Sequence, residues 1–124
     1  MNLRATLLLA VIALAATPVL AHPKVVGSIP AAGATVASPK AISLTFSERL
    51  FEKMSGATLA KTGMAAMPGH GAGPVRAEAA LSDDGKFMTV TPAAALTPGS
   101  YRLDWFGVGG DTHRVTGSVS FTVR

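Results

Sequence analysis

Seven short runs of alternating or apolar character, none longer than ten residues and all broken by glycine or proline, constrain the fold more than any other feature of this chain. The clearest is Ala41-Ile42-Ser43-Leu44-Thr45-Phe46-Ser47. It alternates with period two, so Ile42, Leu44 and Phe46 face one side and Ser43, Thr45 and Ser47 the other, as in a strand with one buried face. Lys24 to Ile29, Ala57 to Lys61, Val75 to Leu81, Phe87 to Thr91, Ser100 to Val108 and Val115 to Val123 read as further strands. Pro30 and Gly33, the turn Ser82-Asp83-Asp84-Gly85, and the Pro92 to Gly99 connection separate them. Gly63 to Pro74, rich in glycine, methionine and proline, has no usable period and is expected to be a loop. No segment after residue 21 sustains a helical period. Seven strands about ten residues apart predict an all-β, antiparallel Greek-key sandwich or barrel of immunoglobulin-like type. Leu103, Trp105, Val119, Phe121 and Val123 should supply much of its core.

The first 21 residues have a different character. Met1 to Arg4 is a short positive start, Ala5 to Ala16 is apolar apart from Thr6, and Val19 and Ala21 are the small residues at −3 and −1 that signal peptidase reads. The apolar run is too short to span a bilayer. A removed signal peptide, 1–21, and a secreted or periplasmic domain, 22–124, are therefore expected, with no membrane insertion after cleavage. A product of 103 residues, 124 less 21, makes one domain. The absence of cysteine excludes disulfides, thiolate metal sites and a cysteine nucleophile. Without Arg4, 10 Lys and Arg face 7 Asp and Glu, scattered singly, and no basic stripe points to nucleic acid.

Cleavage after Ala21 would make His22 the first residue, carrying a free α-amine beside its imidazole. Both nitrogens give up protons readily to a competing metal, so one residue can chelate. Pro23 has no N–H to deprotonate, so the remaining ligands must come from elsewhere in the fold. The bland alternative is a frayed terminus with no role. Asp111-Thr112-His113 stands where the chain enters its last strand. On a strand, residues two apart share a face, which would bring carboxylate and imidazole together. Alone the pair is equally a turn carboxylate beside a surface histidine. With His22 it makes two imidazoles, an amine and a carboxylate, a nitrogen and oxygen set suited to Cu(II). That requires the amino terminus to approach the start of the last strand, as it would if the first strand borders the last. Glu48, beyond Phe46, is either a solvated charge or a carboxylate lying axially or outside the inner ligands. Met64, Met67 and His70 are spaced by three in the Gly63 to Pro74 loop, and thioethers favour Cu(I). Met54 and Met88 could add a ligand or fill core gaps.

At this point the sequence resembles a known family. His22-Pro23-Lys24, Ser28-x-Pro30-Ala31-x-Gly33, Phe46-Ser47-Glu48, Met67-Pro68-Gly69, Thr91-Pro92, Gly99-x-Tyr101, Asp104-Trp105, Asp111-Thr112-His113 and Thr116-Gly117-Ser118 together are similar to the CopC family of periplasmic copper-resistance proteins. The resemblance implies a seven-stranded cupredoxin-like or immunoglobulin-like β-barrel that carries or buffers copper in the periplasm. It implies Cu(II) bound by His22 through amine and imidazole, with Asp111 and His113, and Glu48 at the site. Relatives with a methionine-rich loop bind Cu(I) there. In this chain Met64, Met67 and His70 would serve, with fewer methionines and His70 where one might stand. A CopD-type inner-membrane copper transporter is the implied recipient, and the protein is expected to be a monomer and not an enzyme. Two other functions compete. An amino-terminal histidine with a second histidine is also the copper arrangement of oxidative polysaccharide monooxygenases, although Asp111 would sit where dioxygen needs an open position. A metal-free immunoglobulin-like interaction module is the third.

Overall fold

The computed structural model describes residues 22–64 and 66–124, so the expected signal peptide lies outside the described residues. Among them are nine strands: β1 (Val25–Ile29), β2 (Thr35–Val36), β3 (Ile42–Phe46), β4 (Gly56–Met64), β5 (Met67–Val75), β6 (Ala77–Leu81), β7 (Phe87–Pro92), β8 (Gly99–Val108) and β9 (Arg114–Val123), with a single 3-10 turn at Glu52–Met54. They form two sheets, one ordered β1-β3-β7-β6 and the other β2-β9-β8-β4-β5. All pairings are antiparallel except β2 with β9, giving the expected all-β sandwich.

The core is where the two alternating faces meet. Ile42, Leu44 and Phe46 of β3 are all but sealed from solvent, and Ile42 and Leu44 pair in register with Val90 and Met88 of β7. On the other sheet Tyr101 pairs with Phe121 and Leu103 with Val119. The rings of Tyr101 and Phe121 stack at 5.6 Å. Phe46 meets Trp105 edge-on at 5.0 Å and 75°, a contact that ties β3 to β8 across the sandwich. Met88 is buried among these residues as a gap filler, whereas Met54 is exposed.

Four expectations change. β2 has two residues, too short for any period to register. The single strand read over Val75 to Leu81 is divided at Arg76, with β5 in one sheet and β6 in the other. A side-chain alternation that continues across a sheet change carries no sign of it. The expected loop Gly63 to Pro74 is the end of β4 and nearly all of β5, with Met64 opposite Met67. The composition that suggested a loop is tolerated because β5 lies at the sheet edge, where Pro68 and Pro74 need no N–H to offer a neighbour. Pairing passes from Gly63 with Pro68 to Lys61 with Gly73, so residues 69–72 bulge out, with Gly69 and Gly71 at positive φ of 81° and 71° on either side of His70. Finally, β1 does not border the last strand. It pairs with β3 at the edge of the other sheet, and β2 is the strand beside β9.

Leu103 has no solvent exposure at the centre of β8. Leu103→Ala is expected to lower unfolding free energy by about 2–5 kcal/mol, measured by urea titration, from lost transfer energy plus the cavity left behind.

Candidate metal centre

The amino-terminal segment reaches this centre because it is tied down just before β1. The backbone N–H of Lys24 donates to Ser47 Oγ at 3.0 Å, and the N–H of Ser47 donates back to the Lys24 carbonyl at 2.8 Å. Pro23 is buried, while the His22 side chain remains 60% exposed. Ser47, read from the sequence only as the outward end of a strand, thus holds the segment that bears the first histidine.

The second half of the centre is the turn between β8 and β9. Asp111 and His113 converge, but for a different reason than strand alternation, since both precede β9. The N–H of Thr112 donates to the Gly109 carbonyl at 3.0 Å, and that of His113 donates to Asp111 Oδ1 at 3.2 Å. This is an Asx-type turn in which an aspartate side chain stands in for a backbone carbonyl. It carries Thr112 at a φ of 63°, a left-handed conformation uncommon outside glycine. An aspartate two residues before the N–H it accepts is a recognisable signal for such a turn.

With one oxygen fixed to the backbone, Asp111 presents the other to both imidazoles. Its Oδ2 lies 2.5 Å from His22 Nδ1 and 3.8 Å from His113 Nδ1. The two rings are 5.6 Å apart, tilted by 42°. One ligand atom from each of the three residues lies within 4.8 Å of the others. Donors on opposite sides of an ion with bonds of about 2 Å sit about 4 Å apart, so small side-chain rotations suffice to close on a metal. Asp111 is only 11% exposed, so its negative charge acts with little screening, whereas both imidazoles open to solvent. Two nitrogens and an oxygen suit Cu(II), and the set contains no sulfur.

Of the four residues expected together, Glu48 is outside this group, half-buried in the segment after β3. Met64 and Met67 face each other as cross-strand partners at the tip of the β4–β5 hairpin, with Met67 exposed. His70 is exposed in the bulge three residues farther along. No helix among the described residues is long and apolar enough to cross a membrane.

Comparison with known proteins agrees with this architecture. The CopC domain family matches residues 25–124. Copper resistance protein C of Pseudomonas syringae pv. tomato is 49% identical over 106 residues, covering 84% of this chain and 82% of that protein. Copper resistance protein C of Escherichia coli is 46% identical over 105 residues, covering 85% and 83%. The crystal structure of PcoC, a methionine-rich copper resistance protein from Escherichia coli, superposes with a TM-score of 0.75 at 45% identity, covering 84% of this chain and all of that one. A family match over nearly all of the folded domain, relatives of close to half identity and a shared sandwich together make this chain a member of the CopC family.

Proposed function

We propose that this protein binds copper in the periplasm and carries or buffers it as part of copper resistance, without catalysing a reaction. The observation that carries the reading is the single carboxylate oxygen of Asp111 directed at Nδ1 of both His22 and His113. In the proposed processed form, cleavage after Ala21 frees the amine of His22. Cu(II) is then the cargo of amine and imidazole of His22, the imidazole of His113 and the carboxylate of Asp111. Before loading, the Asp111 carboxylate accepts a hydrogen bond from His22 Nδ1. On loading, copper takes the place of that hydrogen and the same carboxylate offsets the metal's charge. Glu48 belongs to this proposal as a carboxylate outside the inner ligands, oriented by the segment that Ser47 fixes.

The carrier reading is favoured over an oxidative enzyme by the same carboxylate. An aspartate poised between the two histidines fills a coordination position that activation of dioxygen would need open. A metal-free interaction module is disfavoured by the convergence of three ligand-type side chains from two distant segments of the chain. The recipient in this proposal is a CopD-type inner-membrane copper transporter, and the carrier acts as a monomer.

The β4–β5 hairpin adds a softer site. Met64 and Met67, adjacent across the two strands, offer two thioethers to Cu(I), with His70 as a third donor from the bulge.

Four outcomes are expected. Cu(II) titration of protein whose amino terminus is sequenced as His22 should saturate at one equivalent by Trp105 emission and raise the melting temperature, because the ion binds only the folded chain. Adding one residue before His22 should weaken Cu(II) binding about tenfold or more, and unchanged affinity would remove the amine from the ligand set. His113→Ala should weaken it by a similar factor and change the Cu(II) electron paramagnetic resonance spectrum. Replacing Met64 and Met67 together with alanine should lower Cu(I) affinity in a competition assay while leaving the Cu(II) titration intact. An unaltered Cu(I) affinity would reduce the hairpin to a structural element.

A further inference from the structure

Of the three clustered residues, His22 alone lies outside the hydrogen-bonded β8–β9 turn. It lies three residues before the start of β1, and its side chain is largely in solvent, yet its ring is already beside Asp111 and His113. The Asp111 carboxylate holds the ring at Nδ1. The Lys24–Ser47 hydrogen bonds fix the backbone two residues later but leave rotation about the intervening bonds free. The contact that places the His22 backbone is Pro23, which is buried against the turn that carries the other two residues. A Cβ built on Gly109 would lie 2.7 Å from Pro23 Cγ and 3.2 Å from Pro23 Cδ, with the Arg49 carbonyl oxygen at 3.5 Å. Real Cβ atoms do not approach a carbon at 2.7 Å, so the pyrrolidine ring occupies the space that only a residue without a side chain leaves open.

Gly109 is also the acceptor of the Thr112 N–H, the bond that closes the turn bearing Asp111 and His113. One residue therefore does two things. Its carbonyl closes the loop that presents two ligands, and its missing side chain admits the proline that seats the third. We propose that Gly109 is a positioning residue for copper binding, setting the place of His22 by giving Pro23 a slot. This rests on the copper reading for its consequence but not for its geometry. A proline ring in a fitted slot has little freedom to lose, so the metal-free protein holds His22 near its final place, and binding meets less ordering cost.

The substitution that tests this is Gly109→Ala, since φ at Gly109 is not in the left-handed range and the methyl's cost is its contact with the ring. Two readouts are taken. In metal-free protein, nuclear Overhauser contacts between the His22 and His113 ring protons should be present in the parent and lost in the variant, with the melting temperature changed by only a few degrees. In the Cu(II) titration, the variant should bind about tenfold or more weakly. Retention of both the ring contacts and the parent affinity would overturn the proposal. Should Gly109→Ala fail to fold, Pro23→Gly decides, because it empties the slot without crowding it. Loss of the ring contacts supports the assignment and their persistence overturns it. A parent protein that shows the ring contacts but binds no copper would sink the copper reading and leave the positioning role standing.

Discussion

The arrangement of this molecule depends on how the Asp111 carboxylate divides its work. One oxygen accepts the His113 N–H and so belongs to the backbone of the β8–β9 turn, while the other faces two imidazoles. A freely rotating aspartate would be a surface charge with many rotamers and little reason to meet both rings. Tied to the backbone, it keeps one direction, and the rotamer entropy that a ligand must lose on binding is lost during folding instead. The left-handed Thr112 is part of the same device. A non-glycine residue there costs of order 1–3 kcal/mol, and the turn tolerates that because two hydrogen bonds and the anchored strands on either side over-determine it.

The sandwich brings chain segments nearly ninety residues apart to that turn without pairing them. β1 and β9 belong to different sheets, so His22 approaches Asp111 across the end of the sandwich, not along a ladder. What sets the spacing is the core beneath. Phe46, against Trp105, fixes the end of β3, and Ser47, next in sequence, holds Lys24. Tryptophan, phenylalanine, serine and the terminal segment thus form a path of contact from the interior to His22.

Much of this was legible in the sequence because period-two alternation is a local code. Ile42, Leu44 and Phe46 announced both their strand and their burial, as did Leu103, Val119, Phe121 and Val123. The three clustered residues were legible as residue types, but strand alternation is not what brings Asp111 and His113 together. Spacing by two suggested a shared strand face, and an Asx turn with a left-handed threonine produces the same convergence. The β5 edge strand was hidden because its pairing tolerates glycine and proline that a central strand would not, and a bulge of four residues breaks any periodicity. The change of sheet at Arg76 left no trace because alternation records which way side chains point and not which neighbour a strand has. Gly109 could not be singled out at all. Among 13 glycines, only the proximity of Pro23 distinguishes it.

The register also separates the two proposed copper sites. Gly63, beside Met64, pairs with Ser100 at the beginning of β8, whereas Asp111 follows Val108 at its end. Eight residues of extended chain between Ser100 and Val108 span about 27 Å. No side-chain motion bridges that distance, so an ion cannot pass from thioethers to imidazoles within one molecule. The sandwich between them is a close-packed apolar core in which the buried hydrophobic residues leave no polar path. Each site must therefore load and unload through solvent or a partner on its own end of the molecule. In the proposed function, selection between oxidation states would follow from donor softness at each end, with the β8 ladder keeping the two donor sets apart.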